Sequence, residues 1–148
     1  MAVRCPVRRR PISPNVSPPL LPQAQLLEFL LRGHLDPHLV LLGARLCERR
    51  DALSAALAAE LPAGTQWTLP AGGYFLWLDF PSPIEAEELL RAAHASGVAF
   101  EPGARFFASP GGAASARLAF SYTSPDEIAE GCRRLGTLVR ERLGGREA

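Results

Sequence analysis

The fold of this 148-residue chain is decided by PAGGYFLWL (residues 70–78), GVAFEPGARFF (97–107) and ARLAFSY (116–122). The first and third segments are apolar runs of strand length, and the second begins with a shorter apolar run at Val98–Phe100, so each predicts a strand. Arg117 is the one charged residue of the third segment. A buried guanidinium without an anionic partner is costly in free energy. This position therefore predicts either an internal acidic partner or an anionic ligand.

Along the chain, helices are predicted before, between and after these strands. Residues 23–31 have a broad leucine face, and Asp36, followed by proline, starts a long helix that continues to about Leu61. Ser82-Pro83-Ile84-Glu85 and Ser124-Pro125-Asp126-Glu127 both have the S-x-x-E pattern of a capping box, which predicts that a helix follows each.

Together these elements predict an α+β fold, with helices on one face of a short mixed or antiparallel sheet and a long connecting helix before it. Three parts are expected along the chain. They are a disordered leader rich in proline and arginine (1–22), a helical connector (23–62) and a small α+β domain (63–148). Proline at the density of the leader blocks helix interiors and strand ladders.

The composition excludes several classes of function. A net charge of +1 gives no electrostatic argument for binding nucleic acid or membranes. The three cysteines are far apart and lack metal-ligand spacing, which favours a reducing compartment and a cytoplasmic location, with the mitochondrion as the alternative. Because all 16 basic residues are arginine, no lysine side chain can form a Schiff base.

Two interpretations of Arg117 follow from the residues alone. It can be an edge-strand arginine that extends to water or pairs with Glu101. Alternatively, its planar guanidinium recognises a carboxylate with two hydrogen bonds.

The Gly72-Gly73 pair before the first strand is also open to two interpretations. It can form a turn, or it can let a ligand approach the backbone closely because neither residue has a side chain. Tyr74 follows the pair directly, and an aromatic ring at that place can form the wall of a pocket.

The order and spacing of these segments resemble one protein family. Pro-x-Gly-Gly-x-Phe-x-Trp, then Gly-Val-x-x-x-Pro-Gly-x-x-Phe, then Arg-Leu-x-Phe-Ser and a capped final helix are similar to the C-terminal part of pyridoxal-phosphate-dependent class I/II aminotransferases. The likeness is strongest to the branch of 2-aminoadipate (kynurenine-type) transaminases and the aminotransferase-like domains of MocR regulators.

The resemblance implies the small domain of the aspartate aminotransferase-like fold and roles for particular residues. Arg117 would bind the α-carboxylate of the substrate. Gly72, Gly73 and Tyr74 would lie against the substrate, and Phe106 would lie near the mouth of the pocket. The full-length form would be a homodimer that uses pyridoxal phosphate to transfer an amino group between an amino acid and a 2-oxo acid.

The chain also departs from the family pattern. Ala104 stands where a small polar residue is common, and Arg105 adds a cation beside the site. No residue is assigned a catalytic role or a metal, and without a lysine we expect this chain alone not to transaminate. The alternative function is a non-catalytic relic of the small domain that acts as a binding or self-association module.

Overall fold

The computed structural model describes residues 19–144 of the chain. Its elements, in chain order, are α1 (Leu20–Leu31), α2 (Leu35–Glu60), β1 (Gln66–Trp67), β2 (Phe75–Asp79), α3 (Ala86–Ala95), β3 (Glu101–Pro102), a 3-10 helix (Gly103–Phe106), β4 (Ser115–Ala119) and α4 (Pro125–Gly144). The chain divides into two compact units, Met1–Val40 and Leu41–Ala148. Most of the predicted leader lies outside the described residues.

In the first unit, helix α1 begins at Leu20, three residues before the start expected from the sequence. Pro22 is tolerated there because the first backbone N–H groups of a helix have no intrahelical partner. The leucines of α1 are exposed. The self-association alternative depends on the exposed face of the long connecting helix, not on α1, and it stays a prediction.

The second unit is built around an antiparallel sheet with the strand order β1-β2-β4-β3. One face of the central pair is buried, through Leu76 and Leu78 of β2 and Ala116 and Leu118 of β4. These four residues share the core with side chains from α3, α4 and the C-terminal half of α2. The α+β fold with helices on one face of a short sheet is confirmed.

The other face of the sheet is less buried. Side chains on a strand alternate between faces, so Phe75 and Trp77 share this face with their cross-strand neighbours Ala119 and Arg117. Strand β2 lies between β1 and β4 and is therefore a central strand. Its second face, however, is not part of the buried core, since Phe75 is exposed.

The two predicted capping boxes have different outcomes. At α4, the Glu127 backbone N–H donates to Ser124 Oγ at 3.3 Å, and the Ser124 backbone N–H donates to Glu127 Oε2 at 2.8 Å, which confirms the box. A helix follows Ser82–Glu85 as predicted, but the capping box there is wrong, because α3 begins at Ala86 without a side-chain cap. The Ala86 N–H instead donates to the Ala113 carbonyl at 2.8 Å, so tertiary structure satisfies that donor.

One further local prediction is wrong. The strand expected at Val98–Phe100 is displaced to Glu101–Pro102, because the Val98 N–H donates to the Ala93 carbonyl at the end of α3 rather than to a strand. The sequence Pro102-Gly103 is typical of a type II turn, but Gly103 begins a 3-10 helix and lacks the positive φ that such a turn requires.

Within residues 19–144, no helix combines the length and the apolar character needed to cross a membrane.

Candidate functional site

Arg117 lies at the centre of the candidate site, held between two aromatic rings. Its guanidinium carbon is 4.0 Å from the centroid of the Phe75 ring and 4.6 Å from that of Phe106. A cation over the face of an aromatic ring is attracted by the ring quadrupole. Two rings therefore lie near the guanidinium, and hydrogen bonds can form only along its nitrogen-bearing edge.

That edge has no acceptor in the described part of the chain. Arg117 Nε is buried and makes no hydrogen bond, and no ion pair joins the guanidinium to a carboxylate of residues 19–144. Buried polar groups in proteins are nearly always paired, and an unsatisfied donor costs about 1–3 kcal/mol. The guanidinium of Arg117 therefore lacks an anionic partner among the described residues.

The 3-10 helix after β3 brings Phe106 over the sheet. Gly103 at its start is buried so closely against Ser115 and the Gly112 carbonyl that no Cβ fits there. This close approach holds the 3-10 helix against β4. The Phe106 ring then lies 5.9 Å from the Trp77 ring, centroid to centroid, in an edge-to-face contact.

Glu101 is the cross-strand neighbour of Arg117 in the pairing of β3 with β4. Its carboxylate is nevertheless engaged elsewhere, since Glu101 Oε2 accepts a hydrogen bond from Arg105 Nη1 at 3.0 Å. Arg105 Nη2 also donates to Glu87 Oε1 at 3.2 Å. The carboxylates of Glu87 and then Glu101 raise the pKa of the Arg105 guanidinium.

Two details of the non-functional interpretation of Arg117 do not match this geometry, although the side chain is partly exposed and can still reach water. The strand order places β4 between β2 and β3, so Arg117 is not on an edge strand. The acidic partner suggested by the sequence, Glu101, pairs with Arg105 instead.

A cavity of about 410 Å³ opens beside the guanidinium. This volume lies within the roughly 300–1,000 Å³ of small-molecule sites in proteins. Its walls combine apolar side chains with charged and titratable ones: Phe75, Leu90, His94, Ala99, Phe100, Glu101, Arg105, Arg117 and Ala119. A ligand with one carboxylate and an apolar or mixed side chain is compatible with such walls.

The other residues expected at the substrate side lie at different distances from Arg117. The Tyr74 ring contacts the Phe75 ring at a centroid separation of 6.5 Å, so it is one ring removed from the guanidinium. Gly72 and Gly73 line a separate cavity of about 200 Å³, together with residues of α2 and Phe120. The structure thus brings Arg117 and Phe106 together, and it does not place the glycine pair in the same cavity.

Sequence reasoning did not single out Phe75 or the pairing of Arg105 with Glu87 and Glu101. The alternation of side chains along β2 could have indicated Phe75, because a residue two positions from Trp77 shares its face. No sequence signal joins Arg105 to Glu87, since these residues are 18 positions apart and meet only through the packing of α3 beside the sheet.

Comparison with known proteins gives a consistent result, although no protein-family model matches the chain. The chain is 38% identical over 116 residues to aromatic-amino-acid aminotransferase 1 of Thermococcus litoralis, a match that covers 78% of this chain and 28% of that protein. It is 41% identical over 93 residues to the 2-aminoadipate transaminase of Thermus thermophilus, which covers 63% of this chain and 23% of the relative.

Solved structures agree in fold. LysN, the α-aminoadipate aminotransferase of Thermus thermophilus solved with N-(5'-phosphopyridoxyl)-L-leucine, matches with a TM-score of 0.75 and 36% identity, over 80% of this chain and 31% of that one. The kynurenine aminotransferase of Pyrococcus horikoshii gives a TM-score of 0.73 at 36% identity, over 78% of this chain and 28% of that one.

Regulators are also among the relatives. The HTH-type transcriptional regulator YdcR of Escherichia coli is 31% identical over 82% of this chain and 26% of its own length. In each of these comparisons the chain spans less than a third of the length of the protein it matches. The chain therefore belongs to the family of pyridoxal-phosphate-dependent class I/II aminotransferases and corresponds to the C-terminal part of its members.

Proposed function

We propose that this chain supplies the substrate-carboxylate subsite of an aminotransferase that moves an amino group between an amino acid and a 2-oxo acid. The observation that supports the proposal is the buried, unpaired Nε of Arg117, held between Phe75 and Phe106. The names of the relatives, which are aromatic-amino-acid, 2-aminoadipate and kynurenine aminotransferases, support the same substrate class.

A carboxylate can satisfy this guanidinium through two parallel hydrogen bonds, one from Nε and one from an Nη group. Such bidentate pairs are stronger than neutral hydrogen bonds, and they fix the orientation of the bound anion. Because two rings lie close to the guanidinium, a carboxylate bound at its nitrogens has less freedom to rotate. Orientation of this kind lowers the barrier of a reaction whose partners are held in place.

The family implies pyridoxal phosphate as the cofactor, and the residues of this chain do not fit its covalent attachment. Attachment needs a lysine amine, and the sequence has none. We therefore assign this chain the binding and orientation of the substrate, and we derive no chemical step through the cofactor.

Homodimerisation of the full-length form follows from the family alone and stays a prediction, as do the contributions of Gly72, Gly73 and Tyr74 to the substrate side. The cytoplasmic location expected from the cysteines also stays a prediction. No observation supports the mitochondrial alternative.

Binding of a 2-oxo acid to the full 148-residue chain tests the proposal. The probe is 4-methyl-2-oxopentanoate, and its methyl ester, which lacks the charge, is the control ligand. We expect the acid to bind with a Kd of roughly 1 mM, as suits a subsite that contributes about 4 kcal/mol. The Nε–H proton resonance of Arg117 should shift on titration, because that donor gains its acceptor.

A pair of arginine variants provides the specificity control. Arg117→Met should abolish the binding, whereas Arg91→Met should leave it unchanged, because Arg91 is exposed and lies on α3 outside the cavity lining. Arg117→Lys keeps the charge but loses the planar guanidinium that donates two parallel hydrogen bonds. This variant should bind the 2-oxo acid at least several-fold more weakly. Equal affinity for acid and ester, or unchanged binding by Arg117→Met, would refute the proposal.

A further inference from the structure

We propose that Arg105 is a positioning residue that holds Glu101 away from Arg117 and thereby keeps the carboxylate subsite open. The proposal rests on the proposed function, because it concerns access to Arg117. It assigns a role to a cation that the family pattern does not explain.

Glu101 of this chain can compete with the substrate carboxylate for Arg117. Glu101 and Arg117 are direct cross-strand neighbours in the antiparallel pairing of β3 with β4. Directly opposite residues have Cβ atoms about 4.5–5.5 Å apart, and opposite charges at such positions stabilise each other. A glutamate at that separation can reach the guanidinium. Because it is tethered, its effective concentration at Arg117 is in the millimolar range or above, comparable to that of a free substrate.

The structure shows the competitor bound elsewhere. Arg105 lies four residues after Glu101, and its Nη1 donates to Glu101 Oε2 at 3.0 Å. The same guanidinium donates through Nη2 to Glu87 Oε1, at 3.2 Å, on helix α3. Arg105 therefore joins two carboxylates from different elements, and α3 fixes the position of its side chain.

All three charged groups face the same space. Arg105, Glu101 and Arg117 line the cavity of about 410 Å³. With Arg105 present, the carboxylate of Glu101 is paired with Arg105, and Arg117 Nε has no acceptor among the described residues. Without Arg105, the nearest cation for Glu101 across the strand pair is Arg117, and the subsite closes on an internal anion.

A rival explanation is that Arg105 only adds positive charge near the site. The two explanations differ in which carboxylate matters. If Arg105 acts through charge alone, then removal of either acid should compensate for its loss. If it restrains Glu101, only the removal of Glu101 should compensate, because Glu87 is on α3 and is not the strand neighbour of Arg117.

The experiment measures binding of 4-methyl-2-oxopentanoate to the full chain and to three variants. Arg105→Gln should weaken binding about three- to tenfold, the range expected for competition by an internal ion pair. Arg105→Gln with Glu101→Gln should restore the affinity to within about twofold of the parent. Arg105→Gln with Glu87→Gln has the same net charge and should stay weak. Equal recovery in both double variants, or no loss in Arg105→Gln, overturns the proposal.

A second measurement needs no ligand and separates this proposal from the one it rests on. In free Arg105→Gln, the Nε–H resonance of Arg117 should move as the donor gains Glu101 as an acceptor, and the further change Glu101→Gln should return it. An unmoved resonance in Arg105→Gln refutes the positioning role even where the parent binds the acid. Failure of the parent to bind the acid, with the resonance moving as described, refutes the proposed function and not the restraint.

Discussion

The guanidinium carbon of Arg117 lies 4.0 Å from the centroid of the Phe75 ring, and both residues belong to the central strand pair of the sheet. A ring face stabilises the charge but accepts no hydrogen bond of ordinary strength. The contact therefore explains how a cation is tolerated at the middle of the sheet while its Nε stays without an acceptor. A fold that keeps an unsatisfied donor for a ligand loses stability in the ligand-free state.

Replacement of this arginine should reveal the loss of stability directly. We expect Arg117→Met to raise the free energy of unfolding by about 1 kcal/mol. Removal of the unsatisfied donor is worth about 1–3 kcal/mol, and methionine retains contact with both rings, while the lost cation–π attraction offsets part of the gain. Urea denaturation of both proteins measures the difference. A destabilisation of more than about 1 kcal/mol would mean that Arg117 is a structural residue with a partner of its own.

Phe75 and Phe106, whose rings lie close to the Arg117 guanidinium, are called the clamp. The aromatic pair at the end of the 3-10 helix allows a matched test of this clamp. Phe106 and Phe107 are 47% and 48% exposed, and both rings contact Trp77, but only Phe106 lies over Arg117. Phe106→Leu should weaken binding of a 2-oxo acid about two- to fivefold, as expected for the loss of an exposed cation–π contact of about 0.5–1 kcal/mol. Phe107→Leu should leave the affinity unchanged. A similar loss in both variants would show that general packing, and not the clamp, controls binding.

Much of the fold follows from local sequence signals. The final helix is specified by a capping box whose two hydrogen bonds form as expected, and the central strands by apolar runs around Leu76 and Leu118. Short elements could not be placed, because their boundaries depend on partners distant in sequence. The displaced strand β3 is the example: Glu101 belongs to the sheet only because Arg117 is its neighbour there.

The candidate site was also predictable only in part, because local sequence indicates single residues but not the packing between distant elements. A single arginine in an apolar strand makes an anionic ligand one of two interpretations from sequence alone, and Arg117 lies beside a cavity of suitable size. The clamp by Phe75, the restraint of Glu101 and the separate cavity at Gly72 depend on which faces and elements meet. Those relationships are set by tertiary packing, which residue spacing does not encode.

Acid stability of the chain should depend on Glu130 in helix α4. Hydrogen bonds from Arg133 and Arg134 lower the pKa of the Glu130 carboxyl from 4.5 to about 2. A carboxyl with a lowered pKa in the folded state stabilises the fold above its unfolded pKa, and this stabilisation is lost as the pH falls through the folded value. The contribution of Glu130 should therefore disappear between about pH 4.5 and pH 2.

Thermal unfolding at several pH values measures that dependence. Between these two pH values, the Tm of Glu130→Gln should fall less than the Tm of the parent. Glu141→Gln on the same helix is the control, because Glu141 forms no ion pair among residues 19–144, and its Tm profile should follow that of the parent. If Glu130→Gln has the same pH profile as the parent, the two arginines do not stabilise the folded carboxylate.

The packing of α4 against the end of α2 should depend on a single glycine. Gly136 is buried, and a Cβ at this position would collide with the backbone carbonyl of Glu60, which also accepts a hydrogen bond from Arg140 Nη1 at 2.5 Å. Backbone cannot move aside as a flexible side chain can. Gly136→Ala should therefore lower the free energy of unfolding by about 2–3 kcal/mol through overpacking.

Gly131→Ala in the same helix is the control. A Cβ at this position meets nothing within 4 Å, and the change should raise the free energy of unfolding by about 0.5–1 kcal/mol, because alanine is the better helix former. Urea denaturation distinguishes the two, and a Gly136→Ala variant as stable as Gly131→Ala would show that α2 and α4 are not in close contact at Glu60.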